Sequence, residues 1–148
     1  MFSKGEKRIR IELASALELL GVKYFSAEEV LFMGSGNESG KAKGLNHLPP
    51  IELVPNLAKV TTKADEIREA IKGPIRIISA FRSEAYNRKI GGAKNSWHIR
   101  GMALDLSQAS VPHHVFKKVA QEVVGTSGGV GLYPSFVHID CRGYFARW

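Results

Sequence analysis

The sequence contains a single cysteine, Cys141. An intramolecular disulfide is therefore excluded, as are four-cysteine zinc sites and redox pairs. Any metal site has to be built from His, Asp and Glu. Long apolar runs are absent too, and no stretch approaches the roughly 20 apolar residues of a membrane span. The opening MFSKGEKRIRIELASALELLG has no uninterrupted apolar core before a small-residue cleavage site, so it does not read as a signal peptide. Internal repeats, low-complexity tracts and domain-separating linkers are also missing. These absences predict one domain spanning residues 1–148, made in the cytoplasm and not inserted in a membrane.

Acidic residues are in short supply, 14 against 21 Lys and Arg, and the net charge is +7. Such an excess favours an anionic partner: nucleic acid, an acidic wall polymer or a membrane surface. Solubility alone would also account for it. The basic residues are scattered and form no known recognition motif, so a nucleic-acid partner is not expected. At 148 residues, of which 44 % are hydrophobic, the chain can bury a substantial core.

Leu13, Leu17 and Leu20 share one face of a predicted first helix ended by Gly21. Ser26 and Glu29 have capping-box spacing for a short helix through Phe32. Residues 34–50, GSGNESGKAKGLNHLPP, have four glycines and no apolar periodicity. They read as a loop, either a rim over a site or a surface insertion. Leu57, Val60, Ala64, Ile67 and Ile71 make the stripe of an amphipathic helix stopped by Gly73-Pro74. Residues 75–79, 102–106, 129–133 and 136–140 read as strands. Ser83 caps a short helix over 84–90, and Val115, Val119 and Val123 mark another behind Pro112. Helices first and short, closely spaced strands later predict an α+β fold, a mainly antiparallel sheet flanked by helices.

The stretch NSWHIRGMALDL places His98 and Asp105 seven residues apart. A continuous helix would part them by two turns, and a continuous strand would send them to opposite faces. They meet only if the chain bends between them, and Gly101 permits a bend. In a strand over 102–106, Met102, Leu104 and Leu106 face the core while Ala103 and Asp105 face away. In the last strand Val137, Ile139 and Cys141 take one face, and Phe136, His138 and Asp140 the other. Two histidines with an aspartate are a known catalytic zinc set that leaves a position for water. Isolated solvated or core side chains are the alternative for each of these residues. His113 and His114 read as surface residues at a helix start, His47 as a loop residue and Cys141 as core.

SWHIRGMALD resembles the Ser-x-His-x-x-Gly-x-Ala-x-Asp pattern of the D-alanyl-D-alanine carboxypeptidase-type zinc peptidases, which share their fold with the hedgehog signalling domain. ISAFRSEAYNRKIGGAKNS is similar to that family's Arg-Ser and Tyr-Asn segment, and GGVGLYPSFVHIDCRGYFARW to its closing strand pair. YFSAEEVL is similar to the opening of its short single-domain members from bacteria and phages.

The resemblance implies one zinc ion bound by His98, Asp105 and His138. It implies that Arg82 meets the substrate, holding a carboxylate or stabilising the carbonyl oxygen. Ser96 would help hold the substrate backbone or terminal carboxylate, or else simply cap a turn, with Tyr86 and Asn87 as further substrate contacts. Many relatives place a base shortly before the last zinc histidine, but this chain has Ser135 and Phe136 there. Asp140 is then the candidate base, or alternatively a residue that orients a ligand. The activity implied is zinc-dependent hydrolysis of amide bonds in peptidoglycan stem peptides, as a D,D-carboxypeptidase or endopeptidase. The chain would act as a monomer and reach the wall after lysis, in a virion or by another route. A non-catalytic zinc domain binding the wall or a protein partner is the alternative.

Overall fold

Ser3 sets the start of the first helix. Its hydroxyl accepts from the Glu6 amide at 3.1 Å, while the Glu6 carboxylate accepts from the Ser3 amide at 2.6 Å. This reciprocal box satisfies two N–H groups that have no partner within the helix. In the computed structural model, which describes residues 1–148 throughout, α1 runs Lys4–Leu19 and buries Leu13 and Leu17. Leu20, expected on that face, is the C-cap and is exposed, because the helix stops one residue before it. The short α2, Ala27–Val30, is capped by the Ser26 hydroxyl, which accepts from the Glu29 amide at 3.2 Å. Glu29 does not return the bond, so the expected box is half made.

Residues 34–50 are more ordered than their glycines suggest. They contain α3, Ser35–Glu38, and end in a 3-10 turn beginning at Ile51. The buried Asn46 ties the segment down. Its amide nitrogen donates to the Met33 and Phe81 carbonyls at 3.0 and 3.1 Å, and its oxygen accepts from the Ser83 amide at 2.8 Å. α4, Val54–Ile71, buries Leu57, Val60, Ala64, Ile67 and Ile71 as the spacing predicts. It packs on α1 at one side and on the sheet at another.

The sheet has strands β1 (Ile75–Ser79), β2 (Ala103–Gln108), β3 (Gly129–Leu132), β4 (Val137–Asp140) and β5 (Ala146–Arg147), in the order β1-β2-β4-β3-β5. All neighbours are antiparallel except β3 and β5. Two-residue β5 carries no alternation and was not expected. α5, Glu84–Lys89, follows β1, with Ser83 as its N-cap. α6, His113–Val124, covers β3 and β4. Its fully buried residues are Phe116, Ala120 and Val124, one position on from the expected valines; Val119 and Val123 pack half-buried at the edge of that stripe. Leu104, Leu106, Val130, Val137 and Ile139 join the helices in one core. The opposite face of the central strands carries the site.

Candidate active site

Ser96 starts the bend that brings His98 to Asp105. Its hydroxyl accepts from the His98 amide at 3.2 Å and caps a 3-10 turn, Trp97–Arg100. Gly101 then turns left-handed at φ 65°, a conformation an L side chain rarely adopts. A Cβ there would also stand 3.2 Å from Leu53 Cβ. The reversal lays His98 over the start of β2, with Nε2 3.1 Å from Asp105 Oδ1. The β2–β4 register sets Asp105 opposite His138, whose Nδ1 lies 3.0 Å from the same oxygen.

The outer ring nitrogens fix the chemistry of this meeting. His98 Nδ1 is 2.7 Å from the Ala80 carbonyl, which can only accept, so Nδ1 carries the proton. His138 Nε2 is 2.8 Å from Asp140 Oδ2 and donates likewise. In the neutral rings, His98 Nε2 and His138 Nδ1 therefore present lone pairs, and both aim at a carboxylate oxygen. Three acceptors facing one another repel unless a cation stands among them. The three ligand atoms lie within 4.8 Å of one another on buried residues, and both imidazoles have the outer partner that metal-binding histidines use. The donor set fits a metal ion.

Charges around the group favour the neutral ring at His98 and, with no metal bound, the protonated ring at His138, whose Nδ1 proton a metal ion would displace. Burial pushes the His98 imidazole down toward its neutral form, against the pull of Asp105. Burial also opposes the His138 cation, but hydrogen bonds to Asp105 and Asp140 outweigh it and raise that ring. Burial likewise disfavours the Asp105 anion, yet the two histidines hold its carboxyl well below the usual range.

Arg82 braces Asp105 from the other side. Nη2 donates to Asp105 Oδ2 at 2.9 Å, Nε to Ser79 Oγ at 2.9 Å and Nη1 to Asn87 Oδ1 at 3.3 Å. A bulge between Ile77 and Ser79 sets Ser79 opposite Asp105, a local re-aiming that bulges commonly provide. Asn87 is buried behind Arg82 and donates to the Ala93 carbonyl at 2.8 Å. Tyr86 is buried too, its hydroxyl against Gly34 and Gly36. Neither Tyr86 nor Asn87 lines the cleft over the His98, Asp105 and His138 group. That cleft has a volume of about 660 Å³, and Arg82, Ser96, His98, Asp105 and His138 stand on its wall.

Asp140 lies 1 % exposed beneath His138, on the same face but not on the cleft wall. Its Oδ1 accepts from the Gly129 amide and from Arg142 Nε, both at 2.9 Å. Its Oδ2 accepts from His138 Nε2 and, at 2.7 Å, from Arg142 Nη2. Burial opposes this anion, but the Arg142 and His138 bonds hold its carboxyl well below the usual range.

Several residues of the site escaped notice in the sequence. Trp148 packs beside His138 with ring centroids 5.1 Å apart, and its indole donates to the Tyr133 hydroxyl at 2.9 Å. Phe136 stacks on Tyr133 at 4.4 Å. Gly131 lies under the indole, where a Cβ would come within 2.6 Å of it. Gly129 and Gly131 pair with Asp140 and His138 across β3–β4. Alternating glycines in a strand signal a close approach, and that was the available clue. His47 and His114 stand away from the group, and His113 Nε2 meets the Tyr133 carbonyl at 2.6 Å. Cys141 is buried on the core side, and burial pushes its thiol up.

Comparison with known proteins matches residues 23–140 to the Peptidase M15 family. A Haemophilus influenzae protein named probable peptidoglycan L,D-endopeptidase MepK is 40 % identical over 73 residues, 45 % of this chain and 38 % of its own. Peptidoglycan L,D-endopeptidase MepK of Escherichia coli K12 is 36 % identical over 74 residues, 45 % of this chain and 40 % of its own. The chain thus matches about two fifths of these relatives' length. A family match that runs from α2 through β4 and takes in all of the buried His98, Asp105 and His138 group makes this chain a member of the Peptidase M15 family.

Proposed function

We propose that the protein is a zinc-dependent peptidase that hydrolyses amide bonds within peptidoglycan stem peptides, as an endopeptidase. The observation that carries the metal part is the convergence of two imidazole lone pairs and Asp105 Oδ1, with both outer nitrogens already committed. Two nitrogens and one carboxylate oxygen suit zinc. The substrate follows the two relatives, both named for peptidoglycan. Their names also favour an endopeptidase over the carboxypeptidase that the sequence motif left equally open.

His98, Asp105 and His138 would hold the ion. Bound zinc lowers the pKa of a water toward about 7 and polarises a scissile carbonyl. The chain's own groups do the rest. Arg82 keeps Asp105 oriented and brings positive charge to the cleft wall, where negative charge develops on the carbonyl oxygen. Ser96 holds the turn that aims His98, and its hydroxyl hydrogen is available to a substrate carbonyl. Asn87 locks the Arg82 guanidinium, and Tyr86 holds residues 34–36 against α5. Both act behind the wall rather than on the substrate. Asp140 works as a positioning residue: both its oxygens are committed, and it keeps the His138 proton on Nε2. Asp105 is the one carboxylate on the cleft wall.

The test is digestion of purified peptidoglycan with products identified by mass, using zinc-loaded protein, chelated protein and His138→Ala. Release of shortened or uncrosslinked stem peptides by the loaded native protein alone is expected. Tight zinc binding without new products would overturn the hydrolase reading on this substrate in favour of a wall-binding domain.

A further inference from the structure

Arg142 grips Asp140 through two of its three guanidinium nitrogens, Nε at 2.9 Å and Nη2 at 2.7 Å. Its Nη1 closes no hydrogen bond in the protein, and the Tyr144 side chain is the other group that acts on the guanidinium. No buried side-chain nitrogen or oxygen in the chain lacks a partner, so Nη1 must reach solvent. Arg142 stands on the cleft wall.

The guanidinium is confined on its other sides. Its Cζ lies 5.0 Å from the Trp148 ring centroid, 5.3 Å from Trp97 and 5.6 Å from Tyr144. Rings at such distances attract a cation and limit its movement. Beneath it, a Cβ on residue 129 would come within 2.7 Å of Nε and 2.5 Å of Asp140 Oδ2. Glycine at that position makes room for the pair. The outcome is an oriented cation with one donor nitrogen left over.

Each guanidinium nitrogen of Arg82 already makes one hydrogen bond in the protein. Asp105 faces two histidines and Arg82. Arg142 Nη1 is the guanidinium nitrogen on the wall that makes none.

We propose that Arg142 is a specificity-determining residue whose Nη1 receives a carboxylate carried by the substrate peptide close to the scissile amide. This rests on the reading that stem peptides are the substrate and adds which chemical group on them is recognised. Asp140 Oδ2 touches both His138 Nε2 at 2.8 Å and Arg142 Nη2 at 2.7 Å. The guanidinium is thus one carboxylate away from a metal-ligand ring. At about 3.3 Å per extended residue, the recognised group lies within about three residues of the bond cleaved. Stem peptides offer that chemistry, since a γ-linked glutamate and a diamino diacid each leave a carboxylate unlinked. Converting such a carboxylate to a carboxamide removes the charge and keeps the shape.

The experiment uses zinc-loaded full-length protein, native and Arg142→Gln, with Arg142→Lys as a second variant. Ligands are stem peptides with N-methylated backbone amides that resist hydrolysis, each with one carboxylate amidated in turn. Native protein is expected to bind one acid form about tenfold more tightly than its amide, as a charge-assisted hydrogen bond provides. Arg142→Gln should bind the two alike, and Arg142→Lys should keep part of the preference. Zinc content and thermal midpoint separate this from loss of the metal site through Asp140, which would weaken both forms equally. A discrimination that survives in Arg142→Gln, or none in the native protein, overturns the proposal. Hydrolysis of unmethylated peptides is followed in parallel. Cleavage without Arg142-dependent discrimination removes the subsite and leaves the peptidase; Arg142-dependent binding without cleavage does the reverse.

Discussion

Asp105 Oδ1 is shared by two imidazoles, His98 Nε2 at 3.1 Å and His138 Nδ1 at 3.0 Å, and both rings have their protons turned outward. A carboxylate oxygen between two lone pairs is an arrangement that binding a cation relieves.

Chelation should therefore change the protein's stability as well as its activity. Zinc binds the folded site and has far less hold on the unfolded chain, so the thermal midpoint should rise with zinc concentration and fall on chelation. The effect should shrink as pH falls to the ordinary imidazole value of about 6.5 and below, because the ligand imidazoles have to be neutral to bind metal and His138 is raised. Calorimetric scans at several zinc concentrations and two pH values check this. A midpoint indifferent to zinc would contradict the site.

Asp140→Asn separates positioning from base catalysis. Asn keeps the shape but weakens the hold on the His138 proton and the Arg142 charge. A positioning role predicts a loss of about 10- to 100-fold, felt in metal affinity as well as activity. A base would lose kcat while zinc affinity stayed native. Competition with a chromogenic chelator, run beside the activity assay, distinguishes the two.

The same carboxylates set the acid limit of the metal-free protein. Asp105 and Asp140 both have carboxyl groups held below their ordinary range. The unfolded chain therefore takes up protons at about pH 3.9 before the folded one does. Their stabilisation is fully present above that pH and is lost as pH falls through the folded values. Denaturant titrations of the chelated protein should show stability declining steeply below about pH 4, with a shallower decline in Asp140→Asn. Equal slopes would count against the ion pairs.

Gly131→Ala tests the seat of Trp148. A Cβ at 131 would stand 2.6 Å from the indole, so the ring has to move from its place beside His138. The cost of such overpacking is about 1–3 kcal/mol, and the loss of activity should exceed that expected from unfolding. Tryptophan fluorescence and the activity of the folded fraction are the measurements. A native spectrum with native activity would remove Trp148 from the site.

Asn46→Ala should show that residues 34–50 support the site from below. The change leaves the buried Ser83 amide without its acceptor, and the Phe81 carbonyl without a donor from Asn46, on either side of Arg82. An unpaired buried group costs about 1–3 kcal/mol. Hydrogen exchange of amides 80–90 should speed up in this variant, with little change in α1. Unaltered exchange in that segment would mean the loop is independent of the site.

The faces that His98, Asp105, His138 and Asp140 take were legible because each depends on local rules. His98 and Asp105 are separated by a glycine that can only be there for a turn, and His138 and Asp140 share a strand face by alternation. Helix α4 was legible for the same reason, its five apolar positions following the helical period. Helix α6 was read one residue out of phase, because its valines mark the edge of a stripe whose centre holds Phe116 and Ala120. β5 went unseen, since two residues have no period to detect. Nothing in the sequence singled out Arg142, because a guanidinium between three aromatic rings exists only after β3, β4 and the 97–100 turn have come together.

The residue types, their spacing and the Gly101 bend are properties of the chain, and they made a meeting of two histidines and an aspartate possible; the β2–β4 register brought His138 to Asp105. Which protons those histidines carry was decided by tertiary structure, through the Ala80 carbonyl and Asp140. So was the fate of Asp140, which alternation placed on the catalytic face and Arg142 then withdrew from the cleft. Local periodicity sets which way a side chain points. Its protonation and its freedom to act depend on partners from distant segments, and those are chosen only when the sheet closes.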